Sequence, residues 1–178
     1  MNEVGPVLAR VGGGIFQQAW VVEDLPAAEE AMRSTLGCGE FVKFEMDETW
    51  ELRGAEVKCA LSLGFARSGN VQIELMQPLR GEGIQAEFLE QHGPGMHHLG
   101  TLVDDLDAAI AEARRDGFEP VMAGQFAGVR LTFLDTFDAL GLYIELIEDP
   151  AGMLWATTPW RDEPPHRSAP SSSEEEPP

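Results

Sequence analysis

This chain is short of cysteine, of positive charge and of long apolar stretches, and each shortage excludes a class. Cys38 and Cys59 are the only two cysteines in 178 residues. They are too few for a disulfide scaffold and suit a reduced, cytoplasmic protein. Lys and Arg number 12 against 31 Asp and Glu, a net charge of −19. Phosphate-rich partners would be repelled, so neither nucleic acid nor an anionic membrane surface is expected as a partner. No apolar window approaches the ~18 residues of a membrane span. The opening MNEVGPVLARVGGG lacks a basic start followed by an apolar stretch, so no secretory signal is expected. What remains is 43% hydrophobic residues, enough for a core at this length.

The ends differ from the middle. Residues 161–178 are rich in Pro, Ser and Glu, with no recurring apolar position. They are expected to be a disordered acidic tail. Residues 1–14, ending in Gly12-Gly13-Gly14, are expected to be flexible, which leaves 15–160 as the folded domain.

That domain repeats itself. Val22, Asp24, Leu25, Ala27, Ala28 and Arg33 meet Val103, Asp105, Leu106, Ala108, Ala109 and Arg114 at one constant offset. Each copy is an apolar strand, an Asp at a helix N-cap position and an Ala-rich amphipathic run closed by glycine (Gly37 or Gly117). The helices are expected over 25–36 and 106–116. Val71–Leu75 parallels Leu142–Leu146, but at an offset about ten residues shorter, so the first copy carries an insertion before its last strand. Alternating stretches at 40–45, 57–65, 119–123 and 129–134 supply two further strands per copy. The fold expected is α+β: two tandem βαβββ modules, about 15–78 and 96–150. A linker, 79–95, joins them with a helix-like stretch at 84–91. The sheet should be cupped and mostly antiparallel.

Four polar side chains recur at equivalent points. Gln17 and His98 lie on the first strand of each module, seven residues before its capping Asp. Glu74 and Glu145 lie on the last, each between Ile and Leu. Alternation points each Glu away from its apolar flanks, into the cup. Pseudo-symmetry then brings one imidazole, two carboxylates and an amide oxygen to one point, an N/O set for a divalent ion. Two carboxylates leave such a site neutral before substrate binds. By the same alternation His97 and Gln18 should face the other way. His92 and His166 should be solvated, and the cysteines ordinary buried residues.

On these residues the sequence resembles the vicinal oxygen chelate superfamily, which includes glyoxalase I, methylmalonyl-CoA epimerases, extradiol dioxygenases and bleomycin-resistance proteins. The likeness covers about Phe16–Asp149. FLEQHGPGMHHLGTLVDDLDAAI (Phe88–Ile110) and GNVQIELMQPL (Gly69–Leu79) look like the methylmalonyl-CoA epimerases. Departures are Gln17, where those enzymes usually have His, and Asp135-Thr136-Phe137, where they usually have His-Pro-Lys. The set Gln17, Glu74, His98 and Glu145 is similar to that of eukaryotic glyoxalase I.

The resemblance implies one divalent metal ion (Zn, Co, Ni, Mn or Mg) and a small-molecule substrate, with an acyl-CoA thioester a candidate. It also implies a homodimer. The implied activity is proton abstraction next to a carbonyl, as in an acyl-CoA epimerase. The alternatives are a glyoxalase I-type lactoylglutathione lyase or a non-catalytic binding protein. An Fe(II) ring-cleaving dioxygenase ranks below these, since position 17 supplies no imidazole. Glu145 is implied as the base, and Glu48, in the inserted stretch, as a second acid–base residue. Trp50, Arg53, Lys58 and Arg67 in that stretch are candidates to meet an anionic substrate.

Overall fold

The computed structural model describes residues 12–154. Eight strands and four helices follow in the order β1 (Gly12–Val21), α1 (Leu25–Leu36), β2 (Val42–Leu52), β3 (Ala55–Ser68), β4 (Val71–Gly81), α2 (Ile84–His92), β5 (Gly95–Val103), α3 (Leu106–Arg115), β6 (Pro120–Phe126), β7 (Val129–Leu134), α4 (Phe137–Leu140) and β8 (Tyr143–Glu148). This is the α+β repeat expected from the sequence: β1-α1-β2-β3-β4, then β5-α3-β6-β7-β8, with α2 between. Gly12–Gly14, expected to be loose, open β1. The acidic tail and His166 lie outside the described residues.

The Asp caps form in both modules. Asp24 Oδ1 accepts from the Ala27 N–H and Asp105 Oδ1 from the Ala108 N–H, each at 2.9 Å. These bonds satisfy helix N–H groups that have no carbonyl partner. Gly37 ends α1 in the left-handed region, φ 64°. Both helices pack on the outer face of the sheet. Leu25 of α1 joins Val22 and Leu75, while Leu106, Ala109 and Ala113 of α3 join Ile144 and Leu146.

The cup closes fully. The strands form a ring in the order β1-β4-β3-β2-β6-β7-β8-β5. Only β1/β4 and β5/β8 run parallel. The modules meet along the antiparallel β1–β5 pair and, opposite it, at a thin β2–β6 seam with two register pairs, Glu51↔Ala123 and Leu52↔Met122. Beyond those rungs the seam is bridged by stacked rings, Phe44 on Phe126 at 5.5 Å between centroids.

The insertion is strand rather than loop. It lengthens the β2–β3 hairpin to 11 and 14 residues, against 7 and 6 for β6–β7. The two hairpins turn alike, through Arg53-Gly54 and Ala127-Gly128, all four residues at positive φ. That geometry matches the twist of the flanking strands, and glycine adopts it without strain. No helix among the described residues is long and apolar enough to cross a membrane.

Candidate functional site

Strand alternation turns the middle residue of each Ile-Glu-Leu inward. Ile73, Leu75, Ile144 and Leu146 are buried in clusters outside the ring. Glu74 and Glu145 line the internal cavity with Gln17. His98 joins them from β5, opposite Ala19 of β1. Its Nε2 lies 3.1 Å from Glu145 Oε2, 3.3 Å from Glu74 Oε2 and 3.3 Å from Gln17 Oε1. The four groups named from the repeat therefore meet at one imidazole nitrogen, all of them buried.

The amide of Gln17 has a fixed sense. Its Nε2 donates to Gln72 Oε1 at 2.8 Å, which leaves Oε1 for the site. Gln72 in turn donates to the Leu154 carbonyl at 3.3 Å, so the chain's last described turn supports the relay. Gln72 is not among the residues named from the repeat. It sits two before Glu74, on the same face of β4, and that spacing was the available signal.

His97 corrects an expectation. It does not face away from the site: it is fully buried, with Nδ1 3.0 Å from Nδ1 of His98. The cause is a register break in which Ala19 pairs with His98 and Trp20 with Met96, so His97 bulges out of the ladder. With His98 Nε2 turned to the carboxylates, its Nδ1–H donates and His97 Nδ1 accepts. His97 thus fixes the tautomer and tilt of His98, the part a second nitrogen or oxygen plays behind ligating histidines.

The electrostatics follow from burial. Desolvation alone would lower the pKa of His98, but the charges and hydrogen bonds of Glu145 and Glu74 outweigh it and hold it at about 9. Burial pushes the Glu74 carboxyl up, against the pull of His98. Burial, with the neighbouring His98 charge, holds His97 well below the usual imidazole range. Glu74, His98 and Glu145 each offer a ligand atom, all within 4.8 Å of one another. Two buried carboxylates, an imidazole nitrogen and an oriented amide oxygen fit a divalent ion with mixed N/O preference.

The remaining expected residues fall elsewhere. Glu48 is an exposed residue of β2, paired with Cys59, and lies outside the cluster. Alternation puts it on the same strand face as Met46 and Trp50, which line the cavity. The four residues of the insertion do not converge as an anion site. Trp50 is buried in the cavity wall. Arg53 is held by Glu87 through two 2.8 Å bonds. Lys58 is exposed, and Arg67, at the other end of β3 from Arg53, donates to the Gly69 carbonyl at 2.8 Å. Gln18 is half-buried. His92 is exposed, its ring against Phe88 and Phe137. Both cysteines are buried and free, and burial pushes the Cys59 thiol up to about 11.

Beside the cluster the ring leaves a cavity that is partly open to solvent. The walls are Phe, Met, Leu, Val, Ile and Trp apart from Gln17, Glu74, Gln85 and Glu145.

Comparison with known proteins agrees with this fold. Residues 16–133 match the sequence profile of the Glyoxalase/Bleomycin resistance protein/Dioxygenase superfamily. The human mitochondrial methylmalonyl-CoA epimerase is 32% identical over 91 residues, 48% of this chain and 51% of that protein. This chain thus spans about half the length of that relative. The mouse mitochondrial enzyme is 26% identical over 138 residues, covering 75% of this chain and 72% of its own. The crystal structure of methylmalonyl-CoA epimerase from Mycobacterium tuberculosis superposes with a TM-score of 0.61 at 29% identity, over 82% of this chain and 93% of that one. A Streptomyces coelicolor methylmalonyl-CoA epimerase variant in complex with 2-nitronate-propionyl-CoA superposes at 0.56 with 27% identity, over 77% and 97%.

Proposed function

Since this chain belongs to the glyoxalase/bleomycin resistance protein/dioxygenase superfamily, we propose that it is a divalent-metal-dependent enzyme that moves a proton next to a carbonyl, in the manner of an acyl-CoA epimerase. The observation that carries the reading is the convergence of Gln17, Glu74 and Glu145 on His98 Nε2 beside an apolar-walled cavity. The epimerase relatives, human, mouse and mycobacterial, support the class of reaction.

Gln17, Glu74, His98 and Glu145 would hold the ion. When bound, it would polarise the substrate carbonyl and stabilise the negative charge that develops there. The chain's own groups do the rest. The apolar walls exclude water. Gln72 and His97 hold Gln17 and His98 in orientation. Glu145 takes the α-proton: the C–H bond breaks, the proton goes to the carboxylate and the electron pair moves to the carbonyl oxygen. Epimerisation returns a proton to the opposite face of the same carbon. Glu48, exposed on β2 but on the same strand face as Met46 and Trp50, is the carboxylate proposed for that face. A second reading, glyoxalase I-type transfer to the neighbouring carbon, is favoured by the ligand set, in which Glu74 and Gln17 match that enzyme's pattern. We take the protein to be a homodimer, with each site complete in one chain.

The test is metal quantitation followed by α-proton exchange in D2O with acyl-CoAs, and with methylglyoxal plus glutathione. One divalent ion per chain is expected, with exchange abolished in Glu145→Gln at unchanged fold. Absence of a stoichiometric ion would instead identify a binding protein, and exchange retained in Glu145→Gln would remove it as the base.

A further inference from the structure

Apart from Gln17, Glu74, Gln85 and Glu145 the cavity lining is apolar. Phe44, one of its residues, is stacked between Phe65 and Phe126, with centroids 5.3 and 5.5 Å apart and rings within 17° of parallel. Met46, Leu63 and Trp50 extend this surface. No Lys or Arg lines the cavity among the described residues. The polar atoms left without a hydrogen-bond partner there are neutral: the Trp50 indole N–H and Gln85 Oε1, both buried. The two carboxylates already balance a divalent ion, so a carboxylate on the substrate would add an uncompensated negative charge in a place shielded from water.

We propose that the group this cavity takes is neutral and apolar: an aryl or branched-alkyl ketone or thioester bearing vicinal or geminal oxygens, rather than a carboxylate-bearing acyl group such as methylmalonyl. The proposal rests on the reading above for the position of the ion. It adds that charge and wall chemistry select the substrate. The Phe44 face receives the apolar group.

The test uses zinc-loaded full-length protein and three probes that each carry vicinal oxygens. These are 2-hydroxyacetophenone, which is neutral and aromatic, hydroxyacetone, neutral without the ring, and mandelate, aromatic and anionic. Titration calorimetry should show 2-hydroxyacetophenone binding at least about tenfold tighter than hydroxyacetone, because the ring is desolvated against the wall. Mandelate carries an intrinsic advantage as a chelator, so the charge term is read from variants. Glu74→Gln, and separately Glu145→Gln, should each shift the ratio of the two affinities toward mandelate by about tenfold or more. Equal binding of hydroxyacetone, or a ratio unmoved by either variant, would overturn the proposal. Deuterium exchange at the CH2 of 2-hydroxyacetophenone reports separately on proton transfer. Its absence would overturn that chemistry and leave the binding preference standing.

Discussion

At the scale of single residues, the site depends on neighbours that are not ligands. His97 hands its Nδ1 lone pair to His98, so His97→Ala should loosen metal binding by about 10–100-fold. His97→Asn, whose Oδ1 lies where Nδ1 was, should restore most of it. Competition with a chelating dye measures both, and equal losses in the two variants would reduce His97 to a packing residue. Gly100 makes a parallel case. It faces Gln17 across the β1–β5 ladder, and a methyl there would overlap the Gln17 amide. Gly100→Ala should therefore push Oε1 out of the cluster and weaken metal binding roughly tenfold or more, with secondary structure by circular dichroism unchanged. Unaltered metal affinity would show that Gln17 is dispensable. The four clustered residues were legible in the sequence because they repeat. His97 and Gln72 were not, because a bulge suspends alternation and because Gln72 aligns with Tyr143 in the second copy, a residue of different chemistry.

At the scale of elements, the caps and the repeat located α1 and α3 within a residue. The β2–β3 hairpin was the difficult element. Phe44, Met46, Trp50 and Leu52 do alternate, but Glu48 interrupts the apolar face and Arg53-Gly54 is a weaker turn signal than Asn-Gly. The alternating stretches expected from the sequence therefore stop at residue 45 and resume at 57. Packing decided otherwise, because Trp50 gains a buried site where β6 has a glycine. A methyl on Gly124 would overlap the Trp50 ring. Gly124→Ala should cost about 1–3 kcal/mol by overpacking and narrow the cavity. Combining it with Trp50→Leu should recover part of that loss, since the two changes share one contact. Thermal melts of the two single variants and the double variant measure the coupling, and strict additivity would mean that the β2–β6 seam absorbs the methyl by opening.

At the scale of the whole molecule, closing two modules into one ring places titratable groups where folding and proton binding cannot be separated. Unfolded, His98 titrates near 6.5, while in the fold it titrates at about 9. The native state therefore holds the extra proton between those values. Its contribution to stability is complete below pH 6.5 and is lost as pH rises through 9. Glu74 works in the same sense, since burial makes the native state keep a proton that the unfolded chain releases at ordinary carboxylate pH. His97 works in the opposite sense: held low, it gives up stability as pH falls below the usual imidazole range. Metal-free protein should accordingly lose thermal stability between pH 6.5 and 9, with a shallower loss in His98→Asn. A divalent ion bound by these residues would take the place of the shared proton. Adding it should raise Tm most at the alkaline end, where the ion no longer competes with that proton. Melts in chelator and in excess zinc across this range decide the matter. A Tm of the metal-free protein that stays level or rises from pH 6.5 to 9 would mean that His98 does not carry a shared proton, and the cluster would then be held by packing alone.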